Sequence, residues 1–243
     1  ARGDGIALAY RAGCRMEDLE YIQFHPTTFY EATSHRFLIS EALRGEGAVL
    51  INSKGERFLS KYLSQYPVPE LAPRDRVAKA IHQELLSSGQ PCVYLDISFK
   101  EAHWIRERFP FVYQSCLDHG VDITRKPIPV VPAAHYNCGG VWVDLEGRTS
   151  VAHLWAVGEV SCTGLHGANR LASTSLLEGL VWGTLAGRAI GNKVTKEKSL
   201  PIPEIEDWKS ETAKVDSSFL VQDWLTLKNT MWNYVGLIKT EMR

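Results

Sequence analysis

The sequence has no long apolar run and no large excess of charge of either sign. Its net charge is -1 over 243 residues. A membrane-spanning helix needs about 20 consecutive apolar residues, and nucleic-acid-binding domains carry clustered basic residues. We therefore expect neither a membrane nor a nucleic acid as a partner.

Cysteine is scarce and has no paired spacing. Five cysteines stand singly in the chain, at Cys14, Cys92, Cys116, Cys138 and Cys162. The eight histidines show no H-E-x-x-H or similar ligand spacing. This pattern predicts free thiols in a reducing compartment, the cytoplasm, and no metal site.

A complete glycine-rich dinucleotide loop is also missing. Gly3-Asp4-Gly5 has neither a third glycine at the required spacing nor a preceding strand. The chain begins at Ala1 rather than at a methionine. We expect a fragment that does not hold a dinucleotide by itself.

The first half contains short elements with clear boundaries. Alternation over residues 21–26 puts Gln23 and His25 on one face of a strand, which Pro26 should end. Residues 36–44 should form a short helix. Pro73 should begin a longer helix, with Arg74 in its first turn.

The second half mixes apolar and charged segments. Residues 154–157 are expected to form a buried strand, followed by a helix over residues 175–189. A charged, proline-containing linker begins at residue 193. Residues 220–238 carry large apolar side chains at steps of four and three, which predicts an amphipathic helix.

Small residues crowd the loop that leads into the helix at residue 175. Free N–H groups at a helix N-terminus suit an anion, and Ser175 and Leu176 would supply them. Glu159, after the predicted strand, could accept hydrogen bonds from cofactor hydroxyls. A tight turn with a surface Arg170 fits the composition equally well.

Three further groups are candidates for chemistry. The first turn of a helix disfavours the positive charge of Arg74, which suggests an arginine aimed into a site. Glu41 and Arg44 are three residues apart and can pair. His135 lies between a rigid extended run and two glycines. The alternatives are mixed surface charge, a solvated ion pair and a structural histidine.

Taken in order, these segments resemble the succinate dehydrogenase and fumarate reductase flavoprotein superfamily, and within it the L-aspartate oxidase family. The resemblance covers about the first 190 residues. It is carried by Gly3-Asp4-Gly5, Gln23-Phe24-His25-Pro26-Thr27, Glu41-Ala42-Leu43-Arg44-Gly45-Glu46-Gly47, Leu71-Ala72-Pro73-Arg74-Asp75, His135-Tyr136-Asn137-Cys138-Gly139-Gly140, Gly158-Glu159 and His166-Gly167-Ala168-Asn169-Arg170.

The resemblance implies a fold that is α/β plus α+β. Residues 1–24 and 136–192 would be parts of a doubly wound FAD-binding domain. Residues 25–135 would be an inserted α+β substrate-capping domain. Residues 193–207 would be a linker, and residues 208–243 the start of a C-terminal helical domain.

The resemblance also implies an activity, the FAD-dependent oxidation of L-aspartate to iminoaspartate, with oxygen or fumarate as electron acceptor. This reaction belongs to NAD biosynthesis. Arg74 would transfer a proton, with Glu41 and Arg44 as its relay. The carboxylate-binding residues would be His25, Ser40, His135 and Arg170. The FAD contacts would be Asp4, Glu159, Ser175 and Leu176.

Two departures and two alternatives accompany this interpretation. Ser40 stands where the family usually has threonine, and Thr174 where it usually has asparagine. The chain could instead belong to a succinate or fumarate flavoprotein subunit, or be an inactive truncated chain that associates through the helix at residues 220–238.

The family further implies association with quinolinate synthase, and a plastid location if the source is a plant.

Overall fold

The computed structural model describes residues 3–31, 37–195, 204 and 216–239. The chain divides into two compact units. The split unit consists of Ala1–Tyr21 and Asn137–Arg243, and the inserted unit is Ile22–Tyr136.

The elements follow one another in a mixed order along the chain. They are α1 (Asp4–Arg11), β1 (Met16–Glu17), β2 (Ile22–Phe29), α2 (Ala42–Gly45), β3 (Val49–Ile51), α3 (Leu59–Tyr62), a 3₁₀ turn (Pro69–Leu71), α4 (Arg74–Ser88), β4 (Val93–Asp96), α5 (Ala102–Arg108), α6 (Pro110–Asp118), β5 (Ile128–Asn137), β6 (Gly140–Trp142), a second 3₁₀ turn (Gly158–Val160), β7 (Ser161–Cys162), α7 (Thr174–Val194) and α8 (Ser217–Val235).

The inserted unit is built on a four-stranded sheet in the order β2-β5-β4-β3. β4 pairs antiparallel with both β3 and β5. Helix α4 packs against β2 and contributes Val77 and Ile81 to the core, where Leu95 and Ile128 are also fully buried. This apolar core fixes the position of α4 against the sheet.

The boundaries of α4 follow from its end residues. Pro73 is extended and precedes the first helical residue, Arg74, while Gly89 ends the helix in the left-handed region at φ 67°. A residue with a side chain would be strained there, whereas glycine is not. The predicted helix is confirmed, with Pro73 one position outside it.

Two expectations for the inserted unit were wrong. Pro26 does not end its strand but lies inside β2, which is an edge strand of the sheet, where a missing N–H is tolerated. The helix expected over residues 36–44 begins only at Ala42. Part of the chain before it is extended, because Leu38 bridges Thr28 of β2. Residues 32–36 lie outside the described part.

The split unit contains a three-stranded sheet in the order β1-β6-β7. β6 pairs antiparallel with β1 and parallel with β7. Just before β6, the backbone passes so close to the turn after β1 that a side chain on Gly139 would collide with the carbonyl oxygen of Asp18. Helix α1, which we did not anticipate, contacts β6.

The buried strand expected over residues 154–157 is absent from the structure. Trp155 makes a single bridge to Arg148, and Val157 is exposed. A strand needs a neighbouring strand that pairs with it over several residues, and in the described part of the chain the segment around Arg148 pairs with Trp155 at this bridge only. The segment lines an apolar cavity of about 420 Å³ beside Leu8 of α1.

Two long helices complete the described part of the split unit. α7 confirms the helix predicted from residue 175 and extends it to Val194. α8 covers most of the predicted amphipathic helix, and its apolar side chains, Leu220 and Trp224 among them, are exposed. Most of the predicted linker, residues 193–207, lies outside the described residues. No described helix is both long and apolar enough to span a bilayer.

Candidate active site

The N-terminus of α4 positions a three-way contact of Arg74. The Nε and Nη2 atoms of Arg74 both donate to Oε2 of Glu41, at 3.0 and 2.7 Å. Nη1 donates to Oε1 of Gln23 at 3.1 Å. The Arg74 side chain is 11% exposed. Its charge therefore sits at an unfavourable helix end but is compensated by a carboxylate.

Glu41 joins two arginines. Its other oxygen, Oε1, accepts from Nη2 of Arg44 at 3.0 Å. Burial by itself raises the pKa of Glu41, but the hydrogen bonds and charges of Arg74 and Arg44 outweigh it and lower that pKa. Glu41 is therefore held ionised between two guanidinium groups.

Arg44 is fully buried, and its guanidinium is desolvated. Burial lowers its pKa, while the neighbouring carboxylates of Glu41 and Glu70 raise it in opposition. Nη1 also donates to the backbone carbonyl of Glu70 at 2.6 Å. Because burial is the larger effect, the net pKa of Arg44 is lowered, although the two carboxylates favour its charged form.

His25 lies on the same strand face as Gln23, as its alternation predicted. It is buried, and burial together with the charges of Arg74, Arg44 and His135 lowers its pKa to about 2. Its Nδ1 lies 3.2 Å from both the N–H and the carbonyl oxygen of Thr27. Its Nε2 is buried and has no hydrogen-bond partner among the described residues.

The state of His25 determines what it can bind. When Nδ1 accepts the Thr27 N–H, the neutral ring carries its proton on Nε2 and can donate it. A buried donor without a partner is costly, and an incoming carboxylate oxygen would satisfy it. The ring of His135 lies edge-on to His25, with centroids 5.2 Å apart.

Ser40 lies directly before Glu41 at the start of α2. Its Oγ accepts a hydrogen bond from the N–H of Ala42 at 3.2 Å, so the hydroxyl hydrogen remains available to another acceptor. In the inserted unit, hydrogen bonds thus join Arg74, Glu41 and Arg44. His25 lies against His135, and Ser40 adjoins Glu41 in the chain.

Arg170 belongs to the split unit, where a loop precedes α7. Its Nη1 donates to the carbonyl of Leu171 and to Oγ of Ser175, at 3.2 and 3.3 Å. The same loop is tied to α7 by the buried Glu178, which contacts Thr163 Oγ1 at 2.5 Å and His166 Nε2 at 2.9 Å. Ser175 and the exposed Leu176 lie in the first turn of α7.

The other predicted cofactor residues lie elsewhere in the split unit. Asp4 is the first residue of α1. Glu159 lies in the 3₁₀ turn that packs against α7, and its Oε1 accepts from the N–H of Asn137 at 3.1 Å.

Sequence reasoning missed three residues of these networks: Gln23, Glu70 and Glu178. Gln23 shares the alternating face of His25, a signal that could have assigned it. Glu70 contacts Arg44, and Glu178 contacts His166, only once the chain has folded. No local sequence pattern identifies either residue.

Residues 1–176 match the family model described as FAD binding domain. The chain belongs to this family. The chain is 50% identical, over 99% of its length, to the L-aspartate oxidase of Pseudomonas aeruginosa. It is 42% identical, over its whole length, to the chloroplastic L-aspartate oxidase of Arabidopsis thaliana.

Solved structures agree with this family. The quinol fumarate reductase FrdA of E. coli matches 95% of the chain, with a TM-score of 0.72 and 33% identity, over 39% of its own length. Sdh1 of Mycobacterium smegmatis matches 98%, with a TM-score of 0.68 and 34% identity, over 41%. The chain likewise spans 44% of the Pseudomonas and 40% of the Arabidopsis relative, which is less than half.

The residues of the split unit fit FAD, the cofactor of this family. In the loop before α7, Gly164 and Gly167 adopt positive φ, and a side chain at either position would meet nothing within 4 Å. The loop backbone is therefore open to a flat group. The adjoining N-terminus of α7, a helix of 21 residues, carries the partial positive charge that suits an anionic cofactor edge.

Proposed function

We propose that this chain is the substrate-binding part of an L-aspartate oxidase. The enzyme would catalyse FAD-dependent oxidation of L-aspartate to iminoaspartate, with oxygen or fumarate as electron acceptor. The proposal is supported by the 50% and 51% identities to the Pseudomonas aeruginosa enzyme and to L-aspartate oxidase 1 of Ralstonia nicotianae.

The observation that carries the proposal is that the inserted unit holds both a side chain able to bind a carboxylate and an arginine paired with a carboxylate. His25 Nε2 lacks a partner among the described residues, and Arg74 is fixed by Glu41 through two donors. A carboxylate of the substrate would accept a hydrogen bond from His25, while Arg74 stays in place for proton transfer. We assign carboxylate binding to His25, Ser40, His135 and Arg170.

Bound FAD would supply the acceptor for a hydride from the substrate carbon. We assign its contacts in this chain to Asp4, Glu159, Ser175 and Leu176. The backbone N–H groups at the start of α7 stabilise negative charge, and Glu159 accepts hydrogen bonds from hydroxyl groups.

Arg74 moves the proton that leaves the substrate as the hydride is lost. An arginine in water is almost never neutral, because its pKa exceeds about 12. Here, the carboxylate of Glu41 touches two nitrogens of Arg74 and can exchange a proton with it. Arg44, whose pKa burial lowers, continues the relay from the other oxygen of Glu41.

A direct assay tests this function. Flavin-loaded enzyme that contains this chain is incubated with L-aspartate, and hydrogen peroxide is measured. We expect peroxide with L-aspartate. Oxidation of succinate without any oxidation of L-aspartate would instead favour a succinate or fumarate flavoprotein, the class of the solved relatives.

Three finer expectations stay predictions. Quinolinate synthase would consume the imine product, and association with it can be measured by co-purification. The Arabidopsis relative is named chloroplastic, so a plastid location is expected for a plant source and the cytoplasm otherwise. Purification without yellow colour would favour the inactive chain that associates through α8.

A further inference from the structure

The buried guanidinium of Arg44 has an unused donor. Arg44 is 1% exposed. Its Nη2 contacts Glu41 and its Nη1 contacts the backbone of Glu70, but its Nε is buried and has no partner among the described residues. A proton that reaches Arg44 from Glu41 therefore needs a further acceptor on its way to solvent.

Glu70 supplies an acceptor beside this guanidinium. It lies in the 3₁₀ turn Pro69–Leu71 and is 3% exposed. Its Oε2 is buried and lacks a partner in the described part of the chain. A buried carboxylate oxygen without a donor is costly, so its position calls for an explanation beyond packing.

The other oxygen of Glu70 leads to the surface. Oε1 accepts from Nη2 of Arg57 at 2.9 Å, and the Arg57 side chain is 59% exposed. The carboxylate of Glu70 thus contacts the solvated Arg57, while the backbone carbonyl of Glu70 binds the buried Arg44.

We propose that Glu70 is the outer carboxylate of the proton relay and carries protons between Arg44 and solvent at Arg57. This inference rests on the proposed function. The Nε of Arg44 and the Oε2 of Glu70, which both lack a hydrogen-bond partner among the described residues, are the donor and the acceptor of the added step, and a bridging water would join them.

The step balances in protons and electrons. Each substrate molecule oxidised would give up a hydride, whose two electrons FAD would take, and one proton, which Arg74 accepts after it has passed its own proton to Glu41. The proton moves through Glu41 and Arg44 to Glu70, which releases it to water near Arg57. Every relay residue returns to its starting protonation, and no electron passes through the relay.

The test uses Glu70→Gln in the flavin-loaded enzyme that contains this chain. Glutamine keeps the shape and an oxygen acceptor for Arg57 but cannot carry the proton. We expect kcat to fall about 10- to 100-fold, the solvent deuterium isotope effect on kcat to rise, and KM to change less than about 3-fold. Glu70→Asp retains an acid and should recover part of kcat.

The matched control is Glu84→Gln. Glu84 is another buried carboxylate of the inserted unit, bonded to Asn52 and Tyr62 and outside the relay. We expect its kcat and isotope effect to stay at wild-type values. Calorimetric binding of malonate reports whether each variant retains the folded substrate site independently of turnover.

The outcomes separate this inference from the function it rests on. If L-aspartate is oxidised and both Glu70 variants retain the wild-type kcat and isotope effect, Glu70 is not in the relay. If Glu70→Gln does not fold, a wild-type isotope effect in Glu70→Asp overturns the inference. If the wild-type enzyme oxidises only succinate, the proposed function fails, and the same isotope measurements on succinate still decide the role of Glu70.

Discussion

Arg74 and Glu41 are joined by two hydrogen bonds to a single carboxylate oxygen, Oε2 of Glu41, at 3.0 and 2.7 Å. The second oxygen of Glu41 remains for Arg44. One carboxylate therefore holds both arginines, each through its own oxygen, and among the described residues Glu41 links the two directly.

Glu41→Gln should disable this connection. The amide keeps the shape of the side chain but removes the charge between the two guanidinium groups and cannot relay a proton. Because proton transfer by a positioned group contributes about 10²–10⁴-fold, we expect kcat to fall by that order while bound flavin is retained. Steady-state kinetics and the flavin absorbance spectrum measure the two effects.

The control for that variant is Glu46→Gln. Glu46 follows α2 and pairs with the exposed Arg108, away from the relay. Its kcat should match the wild-type value. A Glu41→Gln enzyme that turns over at the same rate as Glu46→Gln would exclude Glu41 from proton transfer.

Arg74→Ala should abolish turnover and leave flavin binding intact, because Arg74 lies in the inserted unit whereas the proposed flavin contacts lie in the split unit. Arg74→Lys should restore little, since one ammonium cannot reproduce the three contacts of the guanidinium with Glu41 and Gln23. Stopped-flow reduction of the flavin by L-aspartate measures the loss.

Arg76→Ala provides the comparison for Arg74. Arg76 lies two positions further along α4, and its side chain is 57% exposed beside Asp75. We expect flavin reduction at the wild-type rate. Residual activity of Arg74→Ala above about one tenth of the wild type would remove Arg74 from the proton-transfer role.

The pKa of His25, held at about 2 in the folded protein, has two consequences. KM for the substrate should show no step from His25 between pH 5 and 8. The unfolded chain takes up a proton at His25 below about pH 6.5, whereas the folded chain does not, so His25 costs stability progressively as the pH falls.

The variants His25→Gln and His25→Leu separate these effects. When the pH is lowered from 7 to 5, the free energy of unfolding of both variants should fall less than that of the wild type, as measured by urea denaturation. Only His25→Leu lacks a donor near Nε2, and we expect its KM to rise at least about 10-fold, because a hydrogen bond to a charged group contributes about 1.5–3 kcal/mol. Equal KM values for the two variants would contradict carboxylate binding by His25.

The sequence predicted those features that local rules control. Pro73 and Gly89 bracket an apolar repeat, which predicted α4 and placed Arg74 in its first turn. The alternation around His25 predicted which side chains share a face of β2. The family resemblance added the hypothesis that these positions belong to one site.

Features that depend on distant pairing were not predicted. Gln23 meets Arg74 across 51 positions and Glu70 meets Arg44 across 26, distances at which no periodicity operates. Pro26 was misjudged because proline ends a central strand but not an edge strand, and strand order is invisible in the sequence. The segment at residues 154–157 was misjudged because apolar content alone does not create a partner strand.

The close backbone approach at Gly139 allows a stability prediction. A Cβ at this position would collide with the carbonyl oxygen of Asp18 and lie 2.6 Å from that of Glu17. Both are backbone atoms between β1 and the following turn, so relief would require the β1–β6 pairing to shift. We expect Gly139→Ala to lower the free energy of unfolding by about 1–3 kcal/mol, with a matching fall in Tm by scanning calorimetry.

Gly191→Ala is the matched substitution in the same unit. Gly191 lies near the end of α7, where an added Cβ would meet nothing within 4 Å. Alanine favours a helix over glycine by about 1 kcal/mol, so Tm should rise or stay constant. If Gly139→Ala and Gly191→Ala melted at the same temperature, the backbone of residues 17–18 would have moved aside without cost. The tight approach of β6 to β1 would then not explain the glycine at position 139.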